Sequence, residues 1–193
     1  MPRFRRHTTL SLLIFILGLV YVVATQSGWL NKASKTVQET NPGLYTINHY
    51  VDGDTIAVNM NGTVETVRFI GVDTPETHKP NTPVQCYGPQ AADNTRVLIS
   101  KFGKVRLEAD PLDTNRDRYG RLLRYVYLPD GTLMDKKIIS DGYGFAYLSF
   151  PFSKKAEFAV AQQAAQTAKL GLWAICKPTV NQYGGYTSNA IGT

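Results

Sequence analysis

YTINHYVDGDTIAVNMNGTVETVRFI, residues 45–70, is the stretch that decides the fold. Residues 45–51 and 55–60 alternate well enough to be strands, and Asp52-Gly-Asp54 turns the chain between them. Asn61-Gly62 is a strong two-residue hairpin signal. It leads into a third strand over 63–70, with Val67 and Phe69 on one face against Thr66 and Arg68 on the other. Outward from this meander, Gly88-Pro89 opens a helix with Ala91, Thr95, Leu98 and Phe102 on one face, and Gly103 stops it. A fourth strand is expected over 105–109. A fifth runs over 122–128, closed by the turn at Pro129-Asp-Gly131. A short helix over 133–140 and a longer one over 153–169 follow, the latter with Ser153 as its cap and Gly171 as its end. Five strands with interspersed helices in so short a body predict an α+β, mainly β fold. It is a five-stranded OB-type Greek-key barrel with about three helices.

The chain has 193 residues, enough for one ordinary domain with extras. Hydrophobic residues make up 43% and charged residues 19%, which excludes a disordered polyelectrolyte. Two cysteines exclude a disulfide-rich scaffold and an all-Cys zinc site. The net charge is +6, but Arg3, Arg5 and Arg6 lie in a leader without acids. The remaining 18 bases and 15 acids leave a mildly basic body of +3. Such a body is compatible with a polyanionic partner without demanding one.

Residues 1–28 form a basic flank and then an apolar run, 10–24, preceding the body as an N-terminal hydrophobic leader helix. Two readings stand. One is an export signal cleaved after Ala24, and the other is a signal anchor that holds the chain to a membrane. Either places the body outside the cytoplasm, anchored or secreted. Residues 29–43 read as a linker, 44–176 as the folded domain and 177–193 as a flexible tail. In an exported domain the pair Cys86 and Cys176 is read as a disulfide, the alternative being two buried thiols.

Acids and arginines cluster at strand ends. Asp52 and Asp54 lie on the first turn, Asp73-Thr-Pro-Glu76 follows the third strand, and Asp117-Arg-Tyr-Gly-Arg121 precedes the fifth. Two carboxylates with a main-chain carbonyl suit Ca²⁺. A further carboxylate can orient or deprotonate water. Two guanidiniums can grip phosphate oxygens and steady charge in a transition state. Together they are a kit for phosphodiester hydrolysis, though each motif alone is common in turns and caps.

Val51-Asp-Gly-Asp-Thr55, Val67-Arg-Phe-Ile-Gly-Val-Asp-Thr-Pro-Glu76, Tyr87-Gly-Pro89 and Asp117-Arg-Tyr-Gly-Arg121 resemble, in order, the motifs of the staphylococcal nuclease (thermonuclease) family. The likeness covers about residues 45–173. It implies a Ca²⁺-dependent nuclease acting on DNA and RNA, with cleavage of the P–O5′ bond leaving a 3′-phosphate. By that resemblance Asp54, Asp73 and the Thr74 carbonyl hold the metal, and Asp52 stands behind them. Glu76 is the candidate base, and Arg68 and Arg121 are the phosphate-gripping arginines. Arg118 stands where the family usually has Lys, and with Tyr119 and Tyr147 it is expected to contact substrate. The family's second nucleotide-holding tyrosine has no match, since Ser149 or Phe150 takes its place. The two cysteines have no counterpart in the staphylococcal enzyme. The expected state is a monomer. The rival reading is an OB module at the cell surface that binds nucleic acid without cutting it.

Overall fold

The computed structural model describes residues 43–77, 82–182 and 184–191. The expected leader and the linker up to residue 42 lie outside the described residues. Among those described, no helix is long and apolar enough to cross a membrane.

The barrel is built from β1 (Leu44–Tyr50), β2 (Thr55–Met60), β3 (Thr63–Phe69), β5 (Lys104–Glu108) and β6 (Leu122–Tyr127). It closes in the order β1-β2-β3-β6-β5. The hairpin from β2 to β3 pairs Thr55 with Arg68 and Met60 with Thr63, and Asn61 takes the positive φ of 53° that the tight turn needs. β3 and β6 run parallel, with Val67 opposite Leu122 and Arg68 opposite Leu123. The period-2 alternation therefore buries Val67 and Phe69 in the barrel and turns Arg68 to the other face. Ile56, Val58, Val105, Leu107 and Val126 complete the interior.

Helix α1 (Gly88–Ser100) buries Gly88, Ala91, Thr95 and Ile99. Phe102, expected on that face, lies beyond the helix end and is exposed. Helices α2 (Met134–Ser140) and α3 (Lys155–Thr167) pack on the barrel through Ile138, Ile139 and Phe158. Ser153 does not cap α3. Its main-chain N–H and its hydroxyl instead donate to Asp110, at 2.7 and 3.0 Å, and Asp110 also accepts from the Tyr125 hydroxyl and the Leu112 N–H. A buried carboxylate four bonds deep outcompetes a local cap.

Five small elements escaped the sequence reading. β4 (Val72–Asp73) pairs antiparallel with β7 (Phe145–Ala146), Asp73 opposite Phe145. α4 (Leu172–Ile175) is a single turn. β8 (Thr179–Val180) and β9 (Tyr186–Thr187) form a hairpin in the segment expected to be a flexible tail. Residues 188–191 then lie against residues 84–86, with Gln85 bridged to Ala190. Cys86 and Cys176 are joined by a disulfide with Cα atoms 5.8 Å apart. Around it Phe145, Leu172, Trp173 and Tyr186 form a second, smaller core. The apolar groups of the tail are few, but these rings give it something to bury against.

Candidate active site

The turn between β1 and β2 is pinned from below. Thr95 on α1 donates its hydroxyl to the Gly53 carbonyl at 2.7 Å, and both residues are buried. A side chain at position 53 would collide with Thr74, since a Cβ there would lie 2.8 Å from it. Glycine is therefore what lets the Asp52–Asp54 turn sit under the 73–74 strand end.

Asp54, 5% exposed, is the hub. Its Oδ2 accepts the Thr74 N–H at 2.7 Å and the Thr74 hydroxyl at 3.0 Å, and its Oδ1 accepts the Thr55 hydroxyl at 3.0 Å. Arg68 closes the cluster, its Nη1 ion-paired with Asp54 Oδ1 and its Nη2 donating to Asp73 Oδ1 at 2.8 Å. The pairing of Arg68 with Glu65 that a bare surface strand would suggest is not formed, because Glu65 is gripped by Arg116 through two bonds of 2.8 and 3.1 Å. Asp52 accepts the Asp54 N–H at 3.1 Å. Burial pushes its carboxyl above the usual carboxylate range, against the pull of Arg68, Thr55 and Arg121.

Asp54 and Asp73 thus converge on one positive charge, and Thr74 follows directly. The donors are all hard oxygens, the chemistry of a Ca²⁺ site. Among the described residues no three His, Cys, Asp or Glu side chains gather on one point. A cation here therefore draws on the two carboxylates, a main-chain carbonyl such as that of Thr74, and water.

Arg121 belongs to a separate, more open support. Its Nε donates to Asp117 Oδ2 at 2.7 Å, and Asp117 Oδ1 accepts the main-chain N–H groups of Tyr119 and Arg121. Burial alone would raise the Asp117 carboxyl, but these bonds outweigh it and hold it below the usual range. The pull of Arg121 on Asp52 places it within electrostatic reach of the acid cluster. Its terminal amino groups make no hydrogen bond among the described residues. Tyr119, 68% exposed, lies between two guanidiniums, with Arg118 4.8 Å and Arg121 5.4 Å from its ring centre.

Tyr147 donates its main-chain N–H to Gly71 at 2.8 Å, and its ring meets Phe150 at 5.6 Å. Neither tyrosine touches the acid cluster among the described residues. Glu76 is half-buried, two residues beyond Thr74. Its main-chain N–H donates to Gln85 Oε1 at 2.8 Å, and its carbonyl accepts the Gln85 N–H at 2.9 Å.

Sequence reasoning missed Thr95, Asp117 and Gln85 as parts of this site. Thr95 carried a signal, being a polar residue on the buried face of α1. Asp117 lay inside a quoted motif without a role. Nothing marked Gln85.

The profile of the family described as Staphylococcal nuclease homologue matches residues 66–175. The thermonuclease of Staphylococcus hyicus is 40% identical over 167 residues, covering 81% of this chain and 95% of that protein. The SPbeta prophage-derived endonuclease YokF of Bacillus subtilis is 44% identical over 130 residues, 66% of this chain and 43% of that protein. Endonuclease YncB of the same organism is 43% identical over 130 residues and matched over 60% of its length. The chain spans about half the length of the two Bacillus relatives.

Proposed function

Since the chain belongs to the staphylococcal nuclease family, we propose that it is an exported, Ca²⁺-dependent nuclease that hydrolyses phosphodiester bonds of DNA and RNA. The observation that carries this reading is Arg68 held between Asp54 and Asp73 at the mouth of the barrel. A nucleic-acid-binding barrel has no use for a half-buried arginine shared by two acids, whereas a phosphodiesterase needs both signs of charge at one phosphate.

Bound at Asp54, Asp73 and the Thr74 carbonyl, Ca²⁺ would supply Lewis-acid polarisation of a non-bridging phosphate oxygen. The Arg68 guanidinium would bind two phosphate oxygens at once through its planar fork. Arg121 supplies the second guanidinium, oriented by Asp117 through Nε and presenting its terminal nitrogens. Glu76 orients or deprotonates the attacking water. The P–O5′ bond breaks, leaving a 3′-phosphate and a 5′-hydroxyl. Arg118 and Tyr119 offer charge and a ring face to the neighbouring nucleotides. Export, from the basic and apolar leader, puts this chemistry outside the cytoplasm, on a membrane anchor or in free form. The expected working unit is a monomer.

The test is cleavage of a single-stranded oligonucleotide by the full chain in Ca²⁺, in Mg²⁺ and with chelator, beside Glu76→Gln and Arg121→Ala. The expected result is Ca²⁺-dependent cleavage that falls by roughly 10²–10⁴-fold in each variant. Binding without cleavage in any metal overturns the reading in favour of the binding module.

A further inference from the structure

The two halves of the site are held by different parts of the chain. A reciprocal pair of bonds joins residues 76 and 85, from the Glu76 N–H to Gln85 Oε1 and from the Gln85 N–H to the Glu76 carbonyl. Gln85 is in turn gripped from its far side. The Ile191 N–H donates to the Val84 carbonyl at 3.0 Å, the Cys86 N–H donates to the Asn189 carbonyl at 2.7 Å, and the Ser188 hydroxyl donates to the Cys86 carbonyl at 2.9 Å. The disulfide from Cys86 to Cys176 fixes the same segment covalently to the root of the tail. Asn189 also accepts the Lys177 N–H through its side chain, so the tail's far end is tied back to its start.

We propose that Gln85 is a positioning residue for Glu76, and that the disulfide-anchored C-terminal hairpin holds Gln85 in place, so that turnover depends on residues about a hundred positions away in sequence. The proposal rests on the reading of Glu76 as the group that handles water. A side-chain acceptor on the Glu76 N–H fixes the main chain from which the carboxylate extends. Loss of that bond removes one of the two ties by which Gln85 holds the Glu76 main chain. The metal contacts sit on the Asp54 network and the Tyr119 and Arg121 contacts on Asp117, so the defect falls on kcat and not on KM. A misplacement of about 1 Å is enough to slow turnover by up to ~10²-fold.

The experiment uses the full oxidised chain on a single-stranded oligonucleotide at saturating Ca²⁺, comparing wild type with Glu76→Gln, Gln85→Leu, Gln85→Glu and the double variant Cys86→Ser/Cys176→Ser. Gln85→Leu keeps the shape and removes the acceptor, while Gln85→Glu restores an acceptor oxygen. The expected result is a kcat loss of about 10-fold or more in Gln85→Leu with KM within about 2-fold, and recovery to within about 3-fold of wild type in Gln85→Glu. The double serine variant is expected to lose kcat in the same sense. Independently of activity, the Glu76 amide should exchange with solvent roughly tenfold faster in Gln85→Leu and return in Gln85→Glu. Equal losses in Gln85→Leu and Gln85→Glu, a defect in KM alone, or a wild-type kcat in the double serine variant overturns the proposal. An inactive Glu76→Gln beside a wild-type Gln85→Leu overturns it alone. A wild-type rate in Glu76→Gln overturns the reading of Glu76 and the proposal with it.

Discussion

The floor of the site and its Glu76 rim are both polar, and they are built in opposite ways. The floor comprises Asp52, Asp54, Arg68, Asp73 and Thr74. Asp52 and Asp54 lie on the turn between β1 and β2, Arg68 on β3, and Asp73 and Thr74 at the end of β4, tied together by bonds of which Asp54 alone accepts three, beside its ion pair with Arg68. The rim at Glu76 is locked from outside, by Gln85, the tail and a disulfide. The floor therefore shares the stability of the barrel, while the rim takes its position from a second small core that can loosen separately. The charges are placed by bonds around Asp54, whereas the Glu76 main chain is tied to Gln85, whose neighbours are tied to the tail.

The most severe way to break this contrast is at the hub. Asp54→Ala leaves the half-buried Arg68 against one acid instead of two and orphans the Thr74 N–H. It should cost ~10³-fold or more in activity and about 3–5 kcal/mol of stability. Urea unfolding beside a cleavage assay reads both, and loss of activity without loss of stability would show that the floor is not part of the barrel's own network.

Gly88→Ala addresses the rim alone. A Cβ there would lie 2.9 Å from the Glu76 carbonyl and 3.0 Å from that of Pro75. The main chain at Glu76 must then shift, with an expected kcat loss of roughly 10- to 100-fold and only a small change in KM. A variant with wild-type kcat would mean that Glu76 tolerates displacement.

Opening the disulfide separates the two supports thermodynamically. Cys86→Ser/Cys176→Ser should lose about 2–4 kcal/mol, toward the lower end if the tail hairpin detaches from a barrel that stays folded. Hydrogen exchange should then rise first at residues 84–86 and 188–191, with Val58 and Val67 still protected. Uniform exposure would erase the distinction between the regions.

The barrel side responds to pH. Asp135 is wholly buried on α2, its Oδ2 accepting the Val126 N–H at 2.9 Å. Burial raises its carboxyl to about 8, against bonds from main-chain N–H groups and the pull of Arg68. In the unfolded chain it ionises near the ordinary 3.8, so between 3.8 and about 8 the unfolded state has lost a proton that the fold keeps. Stability from this group therefore falls as pH rises through that window. Asp135→Asn should raise Tm more at pH 8 than at pH 5, by a few degrees. An equal change at both pH values would mean that the carboxylate is charged in the fold.

Legibility in the sequence followed the same divide. The barrel could be read because local signals agreed: the Asn61-Gly62 turn, the alternation around Val67 and Phe69, and Gly88-Pro89 at a helix start. Asp54, Arg68 and Asp73 could be read because they sit on short motifs at strand ends. The β4–β7 pair was invisible because two-residue strands carry no period. Ser153 was misplaced because its partner, Asp110, lies 43 residues away. Gln85 and the tail were invisible because their meaning comes from bonds that span about a hundred residues, which no local pattern encodes.

The measurement that bears most directly on the whole is a double-mutant cycle on kcat at saturating Ca²⁺, with Asp54→Asn, Glu76→Gln and the pair together. If floor and rim form one catalytic site, each single change cripples turnover, and the pair is little worse than the more damaged single variant. If the two losses multiply in full, or if either single variant turns over at the wild-type rate, Asp54 and Glu76 do not act on the same bond.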